Sequence, residues 1–395
     1  MEQELISDNK NVGIIGGGPS GCICAKYLCD NNIDVTLFDS GKFLHTLLPT
    51  GGGRCNLANA KYDFKELAKN YPRGEKFLYS VFCQFGTQET LDFFESIGIE
   101  TYTQEKDNRI FPKSNSSADV REKLLKSLKC KFLNDKITGI NFSGDKYILS
   151  GISEKEYCFD YVVIATGGHC DFGLISNLGL KIIPPEQSLV GFMTKEDYSE
   201  LSGVSLKNIS AKTDKTLFKG DMLFTHKGVS GPLIYEISSV FARKELPFSI
   251  NLKLLPDIDM QKILNENPHK EIKNILAQFI PKSLSRYLLK KLNIHPELKA
   301  HSINSQIRNK ITENLQDFEI IVTNKVPDSE VVTCGGVDLK EINPKTLEAK
   351  SLPNLYFCGE VLDIDGFCGG FNLQNCWSTG YLAAKSIIEK LNHSS

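Results

Sequence analysis

The sequence has no hydrophobic run of 18 residues, so it predicts no membrane-spanning helix. Its twelve cysteines include no Cys-x-x-Cys pair, which argues against a zinc ribbon, and no metal site is expected. The net charge of −2 gives the whole chain no general attraction for nucleic acid or membranes. Residues Met1–Lys10 are polar and acidic, unlike a signal peptide. We therefore expect a cytoplasmic protein whose cysteines are mostly reduced.

The strongest local pattern lies between Val12 and Asp39, where a strand, a glycine turn, a helix and a second strand follow one another. Gly16 permits a tight turn, Gly18 lets the backbone approach a pyrophosphate, and Gly21 lets the helix pack closely. Asp39 ends the second strand, where a carboxylate accepts hydrogen bonds from an adenosine ribose. The pattern predicts a site for an ADP moiety without separating NAD from FAD. The alternative is a purely structural turn.

A second glycine-rich stretch, Gly51–Asn56, suits a backbone that lies against a ligand, although a flexible surface loop is the alternative. Arg54 is a candidate partner for a phosphate, and Asn56 for a turn or a polar ring edge. Further on, Tyr161–Ala165 reads as a strand in the middle of a parallel sheet, and Thr166-Gly167-Gly168 follows it. No second Gly-x-Gly-x-x-Gly occurs there, so no separate nicotinamide-binding subdomain is expected.

The pattern changes from about Leu189, where short strands between turns predict a small antiparallel barrel or sandwich. The segment Thr225–Pro232 is expected to interrupt these strands and to start a helix at Pro232.

A helical region, Asp257–Asp317, has ten Lys/Arg against five acidic residues between Met260 and Asp317. Lys282, Arg286 and Lys290 recur at every fourth residue and therefore share one face of a helix. This face is interpreted either as a solvated surface or as a contact for a polyanion.

Six further motifs occur in a fixed order along the chain. They are Gly-Gly-Gly-Arg-Cys-Asn, Asn-Arg-Ile-Phe-Pro, Ala-Thr-Gly-Gly, Thr-His-x-Gly-x-Ser-Gly-Pro, Thr-Cys-Gly-Gly-Val and Gly-Glu-Val-Leu-Asp-x-x-Gly-x-x-Gly-Gly-Phe-Asn-Leu-Gln. With them the chain resembles the BaiN/RdsA-like (YhiN-like) family of NAD(P)/FAD-dependent oxidoreductases over nearly its full length.

The resemblance implies an α/β fold: a glutathione-reductase-type FAD-binding Rossmann domain with an inserted β-barrel domain that carries a helical lobe. The expected boundaries are 1–188 and 339–395 for the FAD domain, 189–256 and 319–338 for the barrel, and 257–318 for the lobe. The implied activity is reduction of a C=C bond conjugated to a carbonyl, with FAD as cofactor and NAD(P)H as reductant. The alternatives are dihydrouridine synthesis in large-subunit ribosomal RNA, reached through the basic helical lobe, and an oxidase reacting with oxygen.

The resemblance also settles FAD over NAD for the first site. Ile137 is expected to offer its backbone to adenine, Gly359 and Glu360 to contact the ribityl chain, and the amides of 370–373 to face the flavin N1/O2 edge. The full expected set of FAD-binding residues is Gly16, Gly18, Pro19, Ser20, Gly21, Asp39, Ser40, Arg54, Cys55, Asn56, Ile137, Thr166, Gly167, Gly359, Glu360, Gly370, Phe371, Asn372 and Leu373.

Three residues are candidates for catalysis. Cys55 and His226 are candidate proton donors to the α-carbon of the substrate, and Arg109 is a candidate to polarise its carbonyl oxygen. Each has a plainer alternative: loop packing for Cys55, turn stabilisation for His226 and a salt bridge for Arg109.

Overall fold

The structure of the protein is a computed structural model that describes residues 10–393. It begins with the first strand, the glycine turn and the helix that follows them. Of the polar stretch Met1–Lys10, only Lys10 lies within the described residues. The strands are β1 (Asn11–Ile15), β2 (Asp34–Asp39), β3 (Ala58–Asn59), β4 (Thr101–Gln104), β5 (Arg109–Pro112), β6 (Lys131–Asn134), β7 (Ile137–Ser143), β8 (Lys146–Gly151), β9 (Glu156–Phe159), β10 (Tyr161–Ile164), β11 (Ile182–Ser188), β12 (Phe192–Thr194), β13 (Ser205–Thr213), β14 (Thr216–Thr225), β15 (Gly228–Ser230), β16 (Phe248–Lys253), β17 (Phe318–Lys325), β18 (Val332–Val337) and β19 (Leu355–Phe357). The helices are α1 (Pro19–Asp30), α2 (Phe64–Ala68), α3 (Glu75–Phe82), α4 (Thr87–Ser96), α5 (Ser117–Ser127), α6 (Gly173–Ser176), α7 (Pro232–Val240), α8 (Met260–Glu266), α9 (Ile272–Leu276), α10 (Lys282–Lys291), α11 (Ser305–Gln316) and α12 (Phe371–His393).

The chain forms two units, one from residues 10–186 with 332–393 and one from residues 187–331. The expected domain boundaries at 188/189 and 338/339 remain predictions about independently folding parts. Among residues 10–393, no helix combines the length and the hydropathy that crossing a bilayer requires.

A five-stranded parallel sheet is the centre of the first unit, with the strand order β19-β10-β1-β2-β6. Its inner strands are buried apolar segments such as Tyr161–Ile164, as strands covered on both faces must be, whereas the edge strand β6 is largely exposed. Helix α1 packs against α12, so the beginning and the end of the chain share one core. The predicted Rossmann-type α/β fold is confirmed.

Smaller sheets complete this unit. Strands β7, β8 and β9 form an antiparallel meander, and β3, β5 and β4 form another three-stranded sheet. Helix α5 begins at Ser117, and its N-cap is Ser116, whose hydroxyl accepts from the Asp119 N–H. The backbone of Ser116 is extended, as is usual for an N-cap residue, and this lets its side chain reach the free N–H groups of the first helical turn.

The second unit is built on a closed barrel with the strand order β12-β15-β14-β13-β16-β17. The expectation that Thr225–Pro232 interrupts the barrel is wrong, because Gly228–Ser230 forms β15 and pairs with both β12 and β14. A Cβ at Gly228 would lie 2.2 Å from the Phe192 carbonyl oxygen, so glycine allows this close pairing. The helix predicted to start at Pro232 is present as α7.

Helices α8–α11 lie between β16 and β17 in the chain and form the lobe. Helix α10 buries Leu284, Leu288 and Leu289 and exposes its basic residues. The apolar residues of the lobe join the core of the barrel unit. The lobe is therefore held by ordinary hydrophobic burial, and its charges are on the outside.

Candidate functional site

The carboxyl ends of the parallel strands come together at one edge of the sheet. Ile15 pairs with Phe38 on one side and with Ile164 on the other, and Ile164 pairs with Phe357. Because these strands end in register, the residues that follow them meet at the same edge. Open parallel sheets bind ligands at such an edge.

The glycine turn after β1 has the geometry that the sequence pattern requires. Gly16 has φ +114°, and a Cβ there would lie 2.2 Å from the Ala165 carbonyl oxygen. A Cβ at Gly21 would lie 1.9 Å from the Gly16 carbonyl oxygen, so α1 can start this close to β1 only with glycine. At Gly18 no atom lies within 4 Å of the Cβ position, which leaves an open cradle beside the backbone. The turn is crowded where it packs and open where a pyrophosphate would lie.

The N-terminus of α1 favours an anion. Pro19 occupies the first position of the helix, and its first turn has no acidic residue. The first-turn N–H groups therefore point into the open cradle with the positive end of the helix dipole. Ser20 is buried in this turn, and its hydroxyl donates to the Cys358 carbonyl oxygen at 3.4 Å.

Asp39 is fixed by two backbone hydrogen bonds. Its Oδ2 accepts from the Gly17 N–H at 2.8 Å, and its Oδ1 accepts from the Gly41 N–H at 2.7 Å. Each carboxylate oxygen can accept a further bond, so both remain available to ribose hydroxyls. The side chain is thus pre-positioned at the end of β2.

A cavity of about 430 Å³ opens between these elements, within the size range of small-molecule sites, roughly 300–1,000 Å³. Five predicted FAD-binding residues line it: Gly16, Asp39, Ser40, Ile137 and Thr166. The sequence reasoning missed several others on its wall: Thr46, Asp135, Lys136, Thr138, His169, Cys170, Asp171, Leu174 and Ile175. Most of these lie on segments that only the folded chain brings to β1 and β2, so no local motif marked them.

Two of the missed residues have defined partners. The carboxylate of Asp135 accepts from the Ser153 hydroxyl and from the Tyr157 hydroxyl, and these bonds lower the pKa of Asp135. His169 Nε2 lies 3.2 Å from the Thr333 hydroxyl. Both side chains are therefore held in place at the cavity wall by neighbours from other segments.

The second glycine-rich stretch lies against the start of α12. With its amide oriented by its neighbours, Asn56 donates to the Ile110 and Ala58 carbonyls and accepts from the Gly370 N–H at 2.8 Å. Asn59 Nδ2 donates to the Gly369 carbonyl at 3.1 Å. These bonds join glycine-rich segments that are about three hundred residues apart in the sequence.

Tight packing reinforces this junction. Gly370 has φ +97°, and a Cβ there would lie 2.4 Å from the Ala58 carbonyl oxygen. Trp377 donates from its indole nitrogen to the Leu57 carbonyl at 2.9 Å, and the Tyr71 hydroxyl donates to the Phe371 carbonyl at 2.6 Å. The start of α12 is therefore fixed relative to the loop.

The first turn of α12 keeps its donors available. The side chain of Asn372 is used within the loop, where it exchanges two hydrogen bonds with the backbone of Gly366. Within the described residues, the backbone N–H groups of Phe371, Asn372 and Leu373 have no acceptor. They form a second cluster of donors with a positive helix end, which fits an electron-rich ring edge.

Gly359 and Glu360 follow β19 at the same edge of the sheet. Gly359 has φ +80°, donates its N–H to the Thr379 hydroxyl at 2.9 Å and packs against Ser20. Burial raises the pKa of Glu360 to about 7, and the nearby carboxylate of Asp365 adds to the rise. Arg73 pairs with Asp365 through Nε and Nη2.

The basic and catalytic candidates have different surroundings. Arg54 stacks its guanidinium 4.1 Å from the centre of the Phe111 ring. Cys55 is buried with φ +65°, and burial raises the pKa of its thiol to about 12. Arg109 Nε lies 3.0 Å from an Asp107 carboxylate oxygen, which is the salt bridge considered as its plainer role. His226 is exposed in the turn between β14 and β15 of the other unit.

These features define a class: a Rossmann-type protein that binds a dinucleotide at the carboxyl edge of its sheet. The donor set fits FAD, since one helix start lies beside the open cradle at Gly18 and a second helix start in the same unit has free backbone donors. A family model described as HI0933-like protein Rossmann domain matches residues 10–386. The chain belongs to this family of FAD-dependent oxidoreductases, which confirms the resemblance seen in its motifs.

Similar proteins cover nearly the whole chain. A ribosomal RNA dihydrouridine synthase of Haemophilus influenzae is 30% identical over 403 residues, which are 95% of this chain and 97% of that protein. A 3-dehydro-bile acid delta(4,6)-reductase of Clostridium scindens is 29% identical over 416 residues, 96% of this chain and 99% of that protein. The structure of 3-ketosteroid delta1-dehydrogenase from Sterolibacterium denitrificans has a TM-score of 0.53 at 11% identity, covering 97% of this chain and 100% of that one, and supports the fold.

Proposed function

We propose that this protein is an FAD-dependent reductase that saturates a C=C bond conjugated to a carbonyl, with NAD(P)H as the electron donor. The observation that carries the proposal is the presence of two donor-rich helix starts in one unit: α1 beside the open cradle at Gly18, and α12 fixed to the Gly51–Asn56 loop. Bound FAD supplies hydride transfer from the nicotinamide to the electron-poor carbon.

In this proposal, different groups of residues bind different parts of FAD. Gly16, Gly18, Pro19, Ser20 and Gly21 hold the pyrophosphate through the turn and the α1 N-terminus. Asp39 and Ser40 hold the ribose, and Ile137 borders the adenine in the cavity that also contains Thr166. Gly167, Gly359 and Glu360 would contact the ribityl chain. The backbone donors of residues 370–373 would face the flavin ring, and Arg54, Cys55 and Asn56, whose loop is bonded to the start of α12, would lie beside it.

The activities named for the two relatives are the same type of reaction. Dihydrouridine is uridine whose C5=C6 bond, conjugated to the C4 carbonyl, has been reduced, and a 3-oxo bile acid with delta(4,6) unsaturation carries a conjugated dienone. In both, hydride adds to the β-carbon and a proton to the α-carbon. A reductase of this type therefore needs one proton donor and one group that stabilises negative charge on the carbonyl oxygen.

Cys55 is the proposed proton donor within the first unit. Burial raises the pKa of its thiol to about 12, so Sγ carries a proton at neutral pH, although a pKa this far above neutral makes the thiol a weaker acid than an ideal general acid. The Cys55 N–H donates to the Thr50 carbonyl at 3.0 Å, and the Thr50 hydroxyl donates to the Leu47 carbonyl at 2.6 Å. His226 is the alternative donor and Arg109 the proposed partner of the carbonyl oxygen.

Ribosomal RNA is the second candidate substrate, and the basic face of α10 favours it. Lys282, Arg286 and Lys290 are exposed on this helix. Lys290 pairs with Glu200 at 2.6 Å, whereas Lys282 and Arg286 have no acidic partner in the part of the chain that the structure describes. Such uncompensated charge is what phosphate contacts require.

The test is anaerobic, with the protein purified and loaded with FAD. An α,β-unsaturated ketone and, separately, ribosomal RNA from a strain lacking the gene are added with NADPH or NADH. We expect consumption of the nicotinamide only with an electron-poor alkene, and dihydrouridine in the RNA if RNA is the substrate. Oxidation of NAD(P)H that depends on oxygen alone would contradict the proposal and indicate an oxidase.

A further inference from the structure

The short connection between β6 and β7 forms one wall of the dinucleotide cavity. Asn134 ends β6, where it lies opposite Asp39 in the sheet, and Ile137 begins β7. Asp135, Lys136 and Ile137 all line the cavity. The connection therefore lies between the carboxylate proposed to hold the ribose and the residue proposed to border the adenine.

The start of β7 is irregular. Ile137 pairs with Gly151 and Gly139 pairs with Ser150, so Thr138 is an extra residue in this strand. Successive residues of a regular strand point to opposite faces, whereas this bulge lets Ile137 and Thr138 both line the cavity. A bulge also interrupts the ladder of backbone hydrogen bonds, so the strand needs another anchor at this point.

Asp135 provides that anchor from a buried position. The residue is only 7% exposed, and its carboxylate accepts from the Ser153 N–H at 3.2 Å, from the Ser153 hydroxyl and from the Tyr157 hydroxyl at 2.9 Å. A Cβ at Gly151 would lie 2.1 Å from Asp135 Oδ2, so glycine at the end of β8 lets the carboxylate lie directly against that strand. The carboxylate thus ties the connection to the β8–β9 turn and to β9.

Tyr157 extends the anchor to a second wall of the cavity. Its ring packs against Phe38 with the ring centroids 5.0 Å apart, and Phe38 lines the cavity from β2. Phe38 directly precedes Asp39. The hydrogen bonds of Asp135 therefore connect the segment that borders the proposed adenine site to the strand end that carries the proposed ribose ligand.

We propose that Asp135 is a positioning residue for the adenosine half of FAD, an inference that rests on the proposed cofactor. Its carboxylate holds the β6–β7 connection and the bulge where Ile137 borders the adenine. Without this acceptor, Ser153 and Tyr157 lose a partner and the connection is free to shift. The glycine turn and the start of α12, proposed to hold the pyrophosphate and the flavin ring, belong to other segments and stay in place.

The experiment measures FAD release from the full-length, FAD-loaded protein. The protein is diluted well below its melting temperature, and the fluorescence of free flavin at equilibrium gives the dissociation constant. We expect Asp135→Ala to raise this constant roughly tenfold or more, because the adenine wall is no longer fixed. In Asp135→Asn the amide oxygen can accept from the Ser153 N–H while the amide nitrogen donates to the two hydroxyls, so most of the affinity should return.

Asp160→Ala is the matched control. Asp160 is another buried carboxylate of the same unit, 5% exposed, and it accepts from the Asn11 N–H at 3.1 Å, at the end of β1 opposite the cavity. Asp160→Ala should lower the melting temperature and leave the dissociation constant for FAD unchanged. If Asp135→Ala does not fold, Tyr157→Phe keeps the ring beside Phe38, removes one donor and should raise the constant a few-fold.

The outcomes separate this role from the cofactor itself. An equal dissociation constant for the wild type and Asp135→Ala, or the same rise in Asp160→Ala, would overturn the role of Asp135 and leave FAD as the cofactor. A wild-type protein that retains no FAD would overturn the proposed function and this role with it.

Discussion

At the scale of the residue, burial keeps two titratable side chains of the proposed site protonated to higher pH than usual. The thiol of Cys55 and the carboxyl of Glu360 both have raised pKa values, because a charged form would lose its hydration. Cys55 lies in the Gly51–Asn56 loop that contacts the start of α12, and Glu360 follows Gly359 at the carboxyl edge of the sheet. Their protonation states therefore belong to the same part of the molecule as the proposed chemistry.

Replacing Cys55 by alanine tests the proposed proton donor. We expect Cys55→Ala to slow reoxidation of reduced flavin by the substrate by about 10²–10⁴-fold, the range for a lost general acid, while reduction by NAD(P)H is unchanged. Stopped-flow absorbance measures the two half-reactions separately. Cys24→Ala, which removes another buried thiol on α1, is the control for packing. If Cys55→Ala reoxidises normally and His226→Gln does not, the role belongs to His226.

Glu360 predicts a pH dependence of stability. Its pKa is raised from 4.5 to about 7 in the folded protein, so the folded state holds this proton more tightly than the unfolded state. The free energy of unfolding should therefore fall as pH rises from about 4.5 to about 7 and stay lower above it. Glu360→Gln removes this loss, and we expect it to be more stable at pH 8 by up to about 3 kcal/mol, with little difference at pH 4.

Urea unfolding of both proteins across this pH range measures the effect. Glu105→Gln, at an exposed position, should follow the wild type throughout. Parallel curves for Glu360→Gln and the wild type would show that Glu360 does not titrate in this range.

At the scale of the element, a close contact between backbone atoms positions the start of α12. The start of α12 approaches the loop of the second glycine stretch so closely that only glycine fits at position 370. The approach aligns the free N–H groups of the helix with a loop that Asn56 holds in place. The element that presents the donors is therefore positioned by packing as well as by hydrogen bonds.

Adding one methyl group tests this junction. In Gly370→Ala the new Cβ meets the Ala58 carbonyl at 2.4 Å and the residue keeps φ +97°, so the helix start must shift. We expect loss of FAD during purification and destabilisation of about 1–3 kcal/mol. Gly144→Ala is the matched control, since it also has positive φ, at +59°, but no atom lies within 4 Å. The ratio of flavin to protein absorbance and the melting temperature report the result, and equal flavin content in both variants would contradict it.

At the scale of the whole molecule, charge is distributed unevenly although the total is near zero. The lobe carries ten basic and five acidic residues, and two of those acids, Glu271 and Glu297, pair with Lys273. The remaining positive charge faces solvent on α10. This is where a second macromolecule with phosphates would bind, if the substrate is RNA.

Reversing the charges of α10 separates the two candidate substrates. The triple variant Lys282→Glu, Arg286→Glu and Lys290→Glu should bind ribosomal RNA roughly tenfold more weakly or worse at physiological salt, and lose dihydrouridine formation. Its oxidation of NAD(P)H with a small enone should not change. A control with three exposed lysines reversed on the barrel, Lys212→Glu, Lys215→Glu and Lys219→Glu, should keep RNA binding. Unaltered RNA modification in the α10 variant would remove the lobe as the RNA contact.

The sequence by itself determined the parts that local physics fixes. A strand, a glycine turn and an acid at a set distance specify a dinucleotide crossover, because only glycine tolerates the dihedral at Gly16 and the approach at Gly21. Alternating short strands likewise indicated the barrel, though not β15, whose three residues pair only because glycine lets β12 come close.

Only the tertiary structure decided which distant segments share a site. No spacing rule shows that Asn56 receives the Gly370 N–H or that His169 reaches the cavity. Such contacts follow from the order of strands in the sheet and from the packing of α12 on α1. These are long-range properties of the chain, and the free energy that selects them is the burial of a common core rather than any local preference.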